Sequence, residues 1–413
     1  MNDRDAVTWL HRRLGLGLAP AELRAAIDRG AEAELDRLVG GDAAGAEQTA
    51  DPWDDAELPL DPKDRPSRTY AIDTWLDHLV STDTPAVDRL AWMWHGHFVS
   101  ALDKVRVARL MVDQIRLFRT AGLGPFPALL RSVTIDAAML VYLDLRTSTG
   151  SQPNENYARE LLELFTLGEG NYSEDDVQAG ASALSGWTYS RDGVRFARRR
   201  HDDTPRRYLG VEAVHDLDTV IGAISEHPAL PWFVARSVAG ELLGNTAEPV
   251  VQPLAETFAA GGLGVRGLVR SVAQAGLDGA SGPLVLAPVP WLTIAQRATG
   301  SQVGGRNRLL LLRAAGQLPL LPPNVGGWPG GPAWFAAGSL VARANLATLV
   351  ADATPSDSEA LVAALTDDHD ALASALGLPS AGFGAATSAA LSAAVPGAAR
   401  LALALISPEF MIA

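Results

Sequence analysis

The chain has 413 residues, a net charge of −14 and no cysteine. A chain of this length forms two or three ordinary domains or one large helical unit, which excludes a peptide and a small disulfide-stapled module. The lack of thiols excludes disulfides, iron–sulfur clusters and a cysteine nucleophile, and the negative charge repels a phosphate backbone, so no nucleic-acid partner is predicted.

The amino-terminal segment shows no basic region followed by an apolar one, and no apolar run reaches the length of a membrane span. The sequence as it stands therefore predicts a cytoplasmic protein without a membrane span. Apolar spacing predicts a helix over 21–38, ended by Gly40 and Gly41. The acids and prolines that come next predict an acidic surface loop over 42–68.

Helical spacing dominates the next hundred residues. Thr84 followed by Pro85 is typical of a helix start, and Ser173 with Asp176 is typical of a capping box. The predicted helices span 85–98, 102–121, 126–143, 151–167 and 173–184.

The second half of the chain opens with a strand signal. Asp192-Gly193 between two short β-prone runs predicts a hairpin, and an arginine-rich loop follows it, over 187–210 in all. These elements predict a mainly α fold, a single large helical domain over 1–413 with a small β hairpin insertion. The remaining predicted elements are helices over 216–224, 232–243, 250–260 and 265–275, a Gly/Pro-rich loop over 322–338 and closing alanine-rich helices.

The predicted helix over 151–167 carries the most informative polar arc. At about 100° per residue, its charged and amide side chains fall on one side and its apolar side chains on the other. One interpretation is a solvated face with pairs such as Glu155–Arg159, each contributing about 0.2–0.5 kcal/mol. The other is a cleft wall whose crowded carboxylates form an acid/base pair. The second interpretation assigns catalysis to Glu160 and Glu163, and substrate binding to Asn154, Asn156 and Arg159.

Histidines stand in two further polar segments. His95 and His97 lie among aromatic residues, where they are either core residues or substrate contacts, and their spacing on a helix turns them away from each other and weakens a shared metal site. His201 beside Asp202 is a candidate general base, also assigned to catalysis, and Arg206 is a candidate anion-binding residue. A charged loop whose signs cancel explains this last segment equally well.

The Gly/Pro-rich loop contains Asn324 and Trp328, which are predicted to bind substrate. Its glycines allow close approach of the backbone to another group. The loop lacks the lysine ending of a phosphate-binding loop, and no dinucleotide-binding glycine motif follows a strand. We therefore expect no nucleotide cofactor, while a divalent metal stays open.

Several motifs, taken together, resemble the bacterial domain of unknown function 1800 family. The resemblance covers most of the chain and differs from the usual family pattern at Gly96, where an asparagine is usual, and at Arg206, where a lysine is usual. The motifs are Leu10-His-Arg-Arg-Leu-Gly-Leu-Gly17, Trp94-His-Gly-His-Phe98, the run from Asn154 to Tyr172 with Ala183-Leu-Ser-Gly-Trp187, His201-Asp202, Pro322-Pro-Asn-Val-Gly-Gly-Trp-Pro-Gly-Gly331 and Ser407-Pro-Glu-Phe410.

The resemblance implies a genomic neighbour and a cellular setting. Family members are often exported, and often stand beside a second family, domain of unknown function 1501, which resembles sulfatases and alkaline phosphatases. The resemblance therefore implies a sulfatase- or phosphatase-like neighbour as a partner.

We expect the four polar segments to converge on one cleft. The predicted function is an acid/base enzyme, a hydrolase or lyase, acting on an anionic glycan or envelope-type substrate. One alternative is a non-catalytic binding partner of the neighbouring protein, which would dock through the arginine-rich loop. The other is a metal-dependent enzyme that uses His95, His97, His201 and carboxylates.

Overall fold

Helices make up most of the computed structural model, which describes residues 1–40, 50–54, 56–190 and 192–413. Two antiparallel two-stranded sheets are the only sheets in these ranges. The predicted mainly α fold with a small β hairpin is therefore confirmed.

The described residues of the amino-terminal part of the chain form five helices. Gly30, at φ +84°, splits the predicted helix over 21–38 in two. The helices of this part are α1 Asp3–Arg13, α2 Pro20–Arg29, α3 Ala31–Val39, α4 Arg65–Ser81 and α5 Pro85–His97.

Two more predicted helices are each broken into two. Arg106 adopts a left-handed φ of +61°, which interrupts the helix predicted over 102–121. Asp136 caps the start of a new helix by accepting a hydrogen bond from the Met139 N–H at 2.9 Å, which interrupts 126–143. The four helices are α6 Leu102–Val105, α7 Ala108–Ala121, α8 Phe126–Thr134 and α9 Ala137–Tyr142.

The helix predicted over 151–167 begins later and changes its winding. Asn154 caps α10, Glu155–Glu160, and the chain continues as a π-helical turn over Leu161–Thr166. A π turn widens the hydrogen-bonding ladder by one residue, so side chains beyond it rotate away from the face expected for an α-helix. The next helix, α11 Glu174–Ala183, has the predicted capping box between Ser173 and Asp176.

Two hairpins follow α11. Strand β1, Trp187–Ser190, pairs with β2, Gly193–Phe196, and Ser190 faces Gly193 across the ladder. Gly193, predicted as a turn residue, therefore belongs to strand β2. The second hairpin joins β3, Arg206–Tyr208, to β4, Val211–Val214, inside the segment predicted as an arginine-rich loop.

Helices resume after the second hairpin. A loop separates α17 from α18 and contains the short 3-10 turn Gly331–Phe335. The helices are α12 Leu217–Glu226, α13 Ala229–Leu243, α14 Glu248–Ala260, α15 Val265–Ala275, α16 Pro288–Thr299, α17 Gly305–Ala314, α18 Ala337–Asp352, α19 Glu359–Ala364, α20 His369–Ala375, α21 Ala385–Ala393, α22 Ala398–Leu405 and α23 Pro408–Met411.

One cluster of buried apolar residues extends from Leu10 to Met411. The buried Arg12 and Arg13 at the end of α1 bind the last residues of the chain: Arg12 donates to the carbonyl oxygen of Phe410 at 2.8 Å and Arg13 to that of Ala413. These hydrogen bonds fix the carboxyl-terminal segment beside α1.

The segment predicted as an acidic surface loop, 42–68, lies partly outside the described residues. Within the described part, Trp53 is 1% exposed and Leu58 is buried, so apolar side chains anchor this segment in the core. The helix α4 begins at Arg65, before the predicted end of the loop.

Candidate functional site

A cleft with a volume of about 240 Å³ lies between the carboxyl-terminal half of α5 and α13. Two loop segments complete it: the stretch before α16 and the Gly/Pro-rich loop before α18. This volume is below the roughly 300–1,000 Å³ of sites for drug-sized ligands, so the cleft accepts a small ligand or one unit of a longer one.

Tryptophan rings form one wall. Trp328 of the Gly/Pro-rich loop stacks on Trp92 of α5, with ring centroids 5.0 Å apart and planes within 8°. The stacking requires the backbone of the loop to approach that of α5 closely. Gly327 has φ +82°, and a Cβ there would overlap the carbonyl oxygen of Gly96. The glycines of the two motifs therefore bring α5 and the loop together.

His97 lies in this cleft and is neutral. Its Nε2 lies 2.9 Å from the carbonyl oxygen of Phe165, which only accepts, so Nε2 carries the proton and Nδ1 holds a lone pair. Burial lowers the pKa of His97 to about 4. Among the described residues, none forms a hydrogen bond with Nδ1. The cleft therefore contains a neutral imidazole with an available proton acceptor.

Arg89 and Glu241 supply the charges of the cleft. The guanidinium is 5% exposed and donates through Nε to the carbonyl oxygen of Arg13 at 3.1 Å and through Nη2 to that of Glu241 at 3.1 Å. Its Nη1 lies 2.9 Å from Glu241 Oε1, an ion pair whose carboxylate side chain is 40% exposed. The cleft therefore contains one buried cation that is paired with a partly exposed carboxylate.

Two further residues that line the cleft have unpaired donors. The indole Nε1 of Trp328 is buried and has no acceptor in the described part of the chain. Gln317 is fixed by accepting the N–H of Val289 at 2.8 Å through Oε1, which leaves its amide NH₂ as a donor. Buried donors without acceptors cost about 1–3 kcal/mol each, so the cleft is complementary to a ligand rich in oxygen atoms.

His95 does not reach the cleft. It is fully buried, its Nε2 accepts the N–H of Leu320 at 3.2 Å, and its ring lies 5.2 Å from that of Trp328. Burial lowers its pKa to about 3, so the ring is neutral. One interpretation of the sequence makes His95 a substrate contact. The structure instead places His95 in the core, where its ring packs against Trp328 of the cleft wall.

The polar arc of α10 makes surface ion pairs. Arg159 binds Glu174 through both terminal nitrogens, at 2.6 and 2.8 Å, and lies 3.2 Å from Glu155. Glu163 accepts the hydroxyl of Tyr172 at 2.8 Å. Burial and then the neighbouring Glu163 raise the pKa of Glu160. Arg159 is therefore held by carboxylates and not free for a substrate anion.

The two asparagines of this segment have local or exposed positions. Asn154 Oδ1 caps α10 by accepting the N–H of Asn156 at 3.0 Å, and Asn156 itself is exposed. The Asn154 N–H donates to the hydroxyl of Ser148 at 3.0 Å. These contacts give Asn154 a capping role, in place of the predicted substrate contact.

His201 and Asp202 lie at the base of the hairpins. The Nδ1 of His201 donates to the carbonyl oxygen of Ser185 at 2.9 Å. Hydrogen bonds from Thr204 and Arg206 lower the pKa of Asp202 to about 2, and the Asp202–Arg206 contact is 2.7 Å. Asp202 is thus a stable carboxylate whose partner is Arg206, and Arg206 is exposed.

Of the four polar segments predicted to converge on one cleft, two contribute residues to its lining. His97 and Trp328 line the cleft, whereas Asn324 is exposed and bonds the N–H of Gly326 at 2.9 Å. Within the described ranges, the lining of this cleft includes neither Glu160 nor His201. The reason is that α10 and the hairpin base satisfy their polar groups among themselves.

The residues that the sequence analysis missed are the partners of His97. Arg89, Glu241 and Gln317 come from three separate elements and are brought together only by packing. Of these three, Arg89 alone could be predicted from the sequence, because it lies two turns before His97 on α5 and so shares its face.

The three histidines proposed as metal ligands do not assemble. Across the described ranges, no group of three or more histidine, cysteine, aspartate or glutamate side chains is arranged to hold a metal ion. His95 and His97 are separated because the first packs into the core and the second faces the cleft. In the same ranges no helix is long and apolar enough to cross a membrane.

Comparison with known proteins identifies a family and no closer relative. The family described as Protein of unknown function (DUF1800) matches residues 9–412, nearly the whole chain. No curated protein and no solved structure matches the chain.

Proposed function

The chain belongs to the DUF1800 family of proteins of unknown function, and from that premise we propose that it is an acid/base enzyme acting on an anionic glycan. The observation that carries the proposal is the pairing, in one cleft, of a neutral His97 with the buried guanidinium of Arg89, whose carboxylate partner Glu241 is partly exposed. The first residue takes a proton and the second binds an anion.

The composition of the cleft favours elimination over hydrolysis. Glycoside hydrolases canonically use two carboxyl groups, one as acid and one as base or nucleophile. Glu241 is the one carboxylate among the described lining residues, and it lies against Arg89. A cation next to a neutral base suits the removal of a proton beside a carboxylate, because the cation stabilises the negative charge that develops there.

The reaction proposed is therefore β-elimination on a uronate-containing glycan. Arg89 exchanges its Glu241 partner for the uronate carboxylate, and His97 Nδ1 removes the proton from the adjacent carbon. The electron pair of that C–H bond forms a carbon–carbon double bond, while the glycosidic C–O bond breaks and its oxygen leaves with a proton from water. The half-buried Trp328 offers an aromatic surface for the sugar ring.

The variant His97→Gln tests this assignment. A glutamine amide can still donate to the Phe165 carbonyl, as Nε2 does, but cannot accept a proton. Incubated with polygalacturonate and with alginate, the wild type should form unsaturated uronate, measured by its ultraviolet absorbance, and the variant should be slower by about 10²–10⁴-fold.

The matched control is His215→Gln, since that ring is solvent-exposed and does not line the cleft. The control should keep the wild-type rate. Equal rates for wild type and His97→Gln, or new reducing ends formed without a double bond, would contradict the proposal.

A second candidate function rests on the first hairpin. Its strand β2 exposes Val194 and Phe196 beside exposed arginines, a combination typical of a binding surface. This surface supports the alternative in which the chain docks on a sulfatase- or phosphatase-like partner of the domain of unknown function 1501 family.

The exposed Arg206, which pairs with the partly buried Asp202, gives this candidate its test. At an exposed position a lysine serves as well as an arginine, so Arg206→Lys should change partner binding little, while binding weakens with added salt. Co-purification with the partner protein, measured at low and physiological salt, decides it: salt-insensitive binding that Arg206→Lys abolishes would contradict surface docking.

A further inference from the structure

A basic groove lies apart from the cleft, between the start of α4 and the short helix α6. It consists of two cavities of about 580 and 420 Å³ that share Pro62, Asp103 and Arg106 in their walls. Among the described residues, the groove and the cleft have no lining residue in common. The groove is therefore a separate site.

Positive charge dominates the groove. Asp103 is the one acidic residue among the described residues that line it. A local excess of cations on a chain of net charge −14 is not explained by composition, and it attracts an anionic ligand. The cations are Lys63, Arg65, Arg68, Lys104, Arg106 and Arg146.

Few of these cations are neutralised. Lys104 pairs with Asp144 at 2.7 Å, and in the described part of the chain none of the other five forms an ion pair. Arginines elsewhere on the surface, such as Arg24 and Arg109, have carboxylate partners at 2.8 and 2.9 Å. Five of the six cations of the groove thus have no carboxylate partner in the described part of the chain.

The backbone at Arg106 supports a ligand-binding role. Arg106 contributes to both cavities, and it has a left-handed φ of +61°, which a residue other than glycine rarely adopts. The preceding helix is fixed by a hydrogen bond from the Leu102 N–H to the carbonyl oxygen of Leu320 at 2.9 Å. Strained backbone held in place by its surroundings is frequent at ligand sites.

The basic surface continues beyond the groove toward the hairpins. Arg200 donates to the carbonyl oxygen of Arg146 at 3.2 Å, which places the arginine-rich segment at the rim. Apolar side chains, among them Leu60 and Leu110, with the ring of Tyr189, line the floor of the larger cavity. A long surface with spaced cations and an apolar floor fits a chain molecule better than a single ion.

We propose that this groove binds an anionic polysaccharide through its sulfate or carboxylate groups. Arginine pairs with either group through two parallel hydrogen bonds, and sugar rings pack on apolar floors and tyrosine rings. A nucleic acid fits less well, because stacking of successive bases requires several aromatic rings and Tyr189 is the one ring in the described lining. The inference is independent of catalysis in the cleft.

Binding by the double variant Arg65→Gln/Arg106→Gln tests the proposal. Both side chains are exposed, so the fold should be kept. The probes are a heparin oligosaccharide, its desulfated counterpart and a polygalacturonate oligosaccharide, each measured by isothermal titration calorimetry. The wild type should bind heparin or polygalacturonate, with affinity falling as salt rises, and the double variant should bind at least about tenfold more weakly.

The matched control is Arg306→Gln/Arg313→Gln, which removes the same charge from exposed positions on α17 outside the groove. This control should bind as the wild type does. Binding only of heparin would assign sulfate groups as the ligand, and binding only of polygalacturonate would assign carboxylates. Binding of desulfated heparin, which keeps its uronate carboxylates, would also assign carboxylates. Equal loss in the control pair, no binding of any of the three probes, or stronger binding of a single-stranded oligonucleotide would overturn the proposal.

Discussion

Gly327 occupies the backbone position on which the cleft depends most. Its φ of +82° and the overlap of an added Cβ with the Gly96 carbonyl oxygen exclude any side chain. We expect Gly327→Ala to displace the loop that carries Trp328 and to lower the free energy of unfolding by about 1–3 kcal/mol, measured by urea denaturation.

Gly96→Ala is the matched comparison. A Cβ at this position would meet the Trp328 ring at 3.6 Å, an ordinary contact distance. Gly96→Ala should therefore be tolerated. Equal destabilisation by the two variants would contradict the packing described for this wall.

Residue type alone could predict part of the cleft. His97 is a polar residue in an aromatic segment, and Trp328 is an aromatic residue in a Gly/Pro-rich loop. Helix formation explains neither, so both are predicted as site residues from the sequence. Arg89 and Glu241 are 152 residues apart and do not, since nothing local to either indicates that Arg89 would bind the Glu241 carbonyl. Likewise His95 looks like His97 in sequence, and only tertiary packing separates them.

At the scale of elements, the π-helical turn after α10 decides which side chains are buried. Leu161 is fully buried, whereas Leu164, on the apolar face of an ideal α-helix, is only partly buried. The same turn brings the Phe165 carbonyl to His97.

We expect Leu161→Ala to lower the free energy of unfolding by about 2–5 kcal/mol, as buried leucines do, and Leu164→Ala to lower it by clearly less. Thermal or urea denaturation of the two variants measures the difference. Equal losses would mean that an unbroken α-helix continues through 161–166.

Element type could be predicted from the sequence better than element ends. The capping box of Ser173 and the helix start at Pro85 have local signatures, and both are confirmed. The break at Arg106 has none, because an arginine in a left-handed conformation is imposed by surrounding contacts rather than by its own preference. The second hairpin was missed for a different reason, since both of its strands are short and β3 begins with two arginines.

For the whole molecule, buried neutral histidines predict a loss of stability in acid. Burial holds the pKa of His95 at about 3 and that of His97 at about 4, below the ordinary 6.5. Between 6.5 and 4 the unfolded chain takes up protons that the folded chain does not, so the free energy of unfolding falls as pH falls through this window.

Urea denaturation across this pH range checks the prediction. His97→Gln should reduce the slope of stability against pH. Asp136 acts in the opposite direction, because burial raises its pKa to about 7 and its folded form keeps a proton that the unfolded form loses. A slope that is identical in wild type and His97→Gln would contradict a neutral, buried His97.

The measurement that tests the central claim most directly is the pH dependence of kcat/KM on the polyuronate that the wild type cleaves fastest. If neutral His97 is the base, kcat/KM should be level above about pH 5 and fall as pH falls through about 4, the pKa of His97. The residual activity of His97→Gln should show no such fall. An acid limb near the ordinary histidine value of 6.5, or one that persists in His97→Gln, would contradict the assignment.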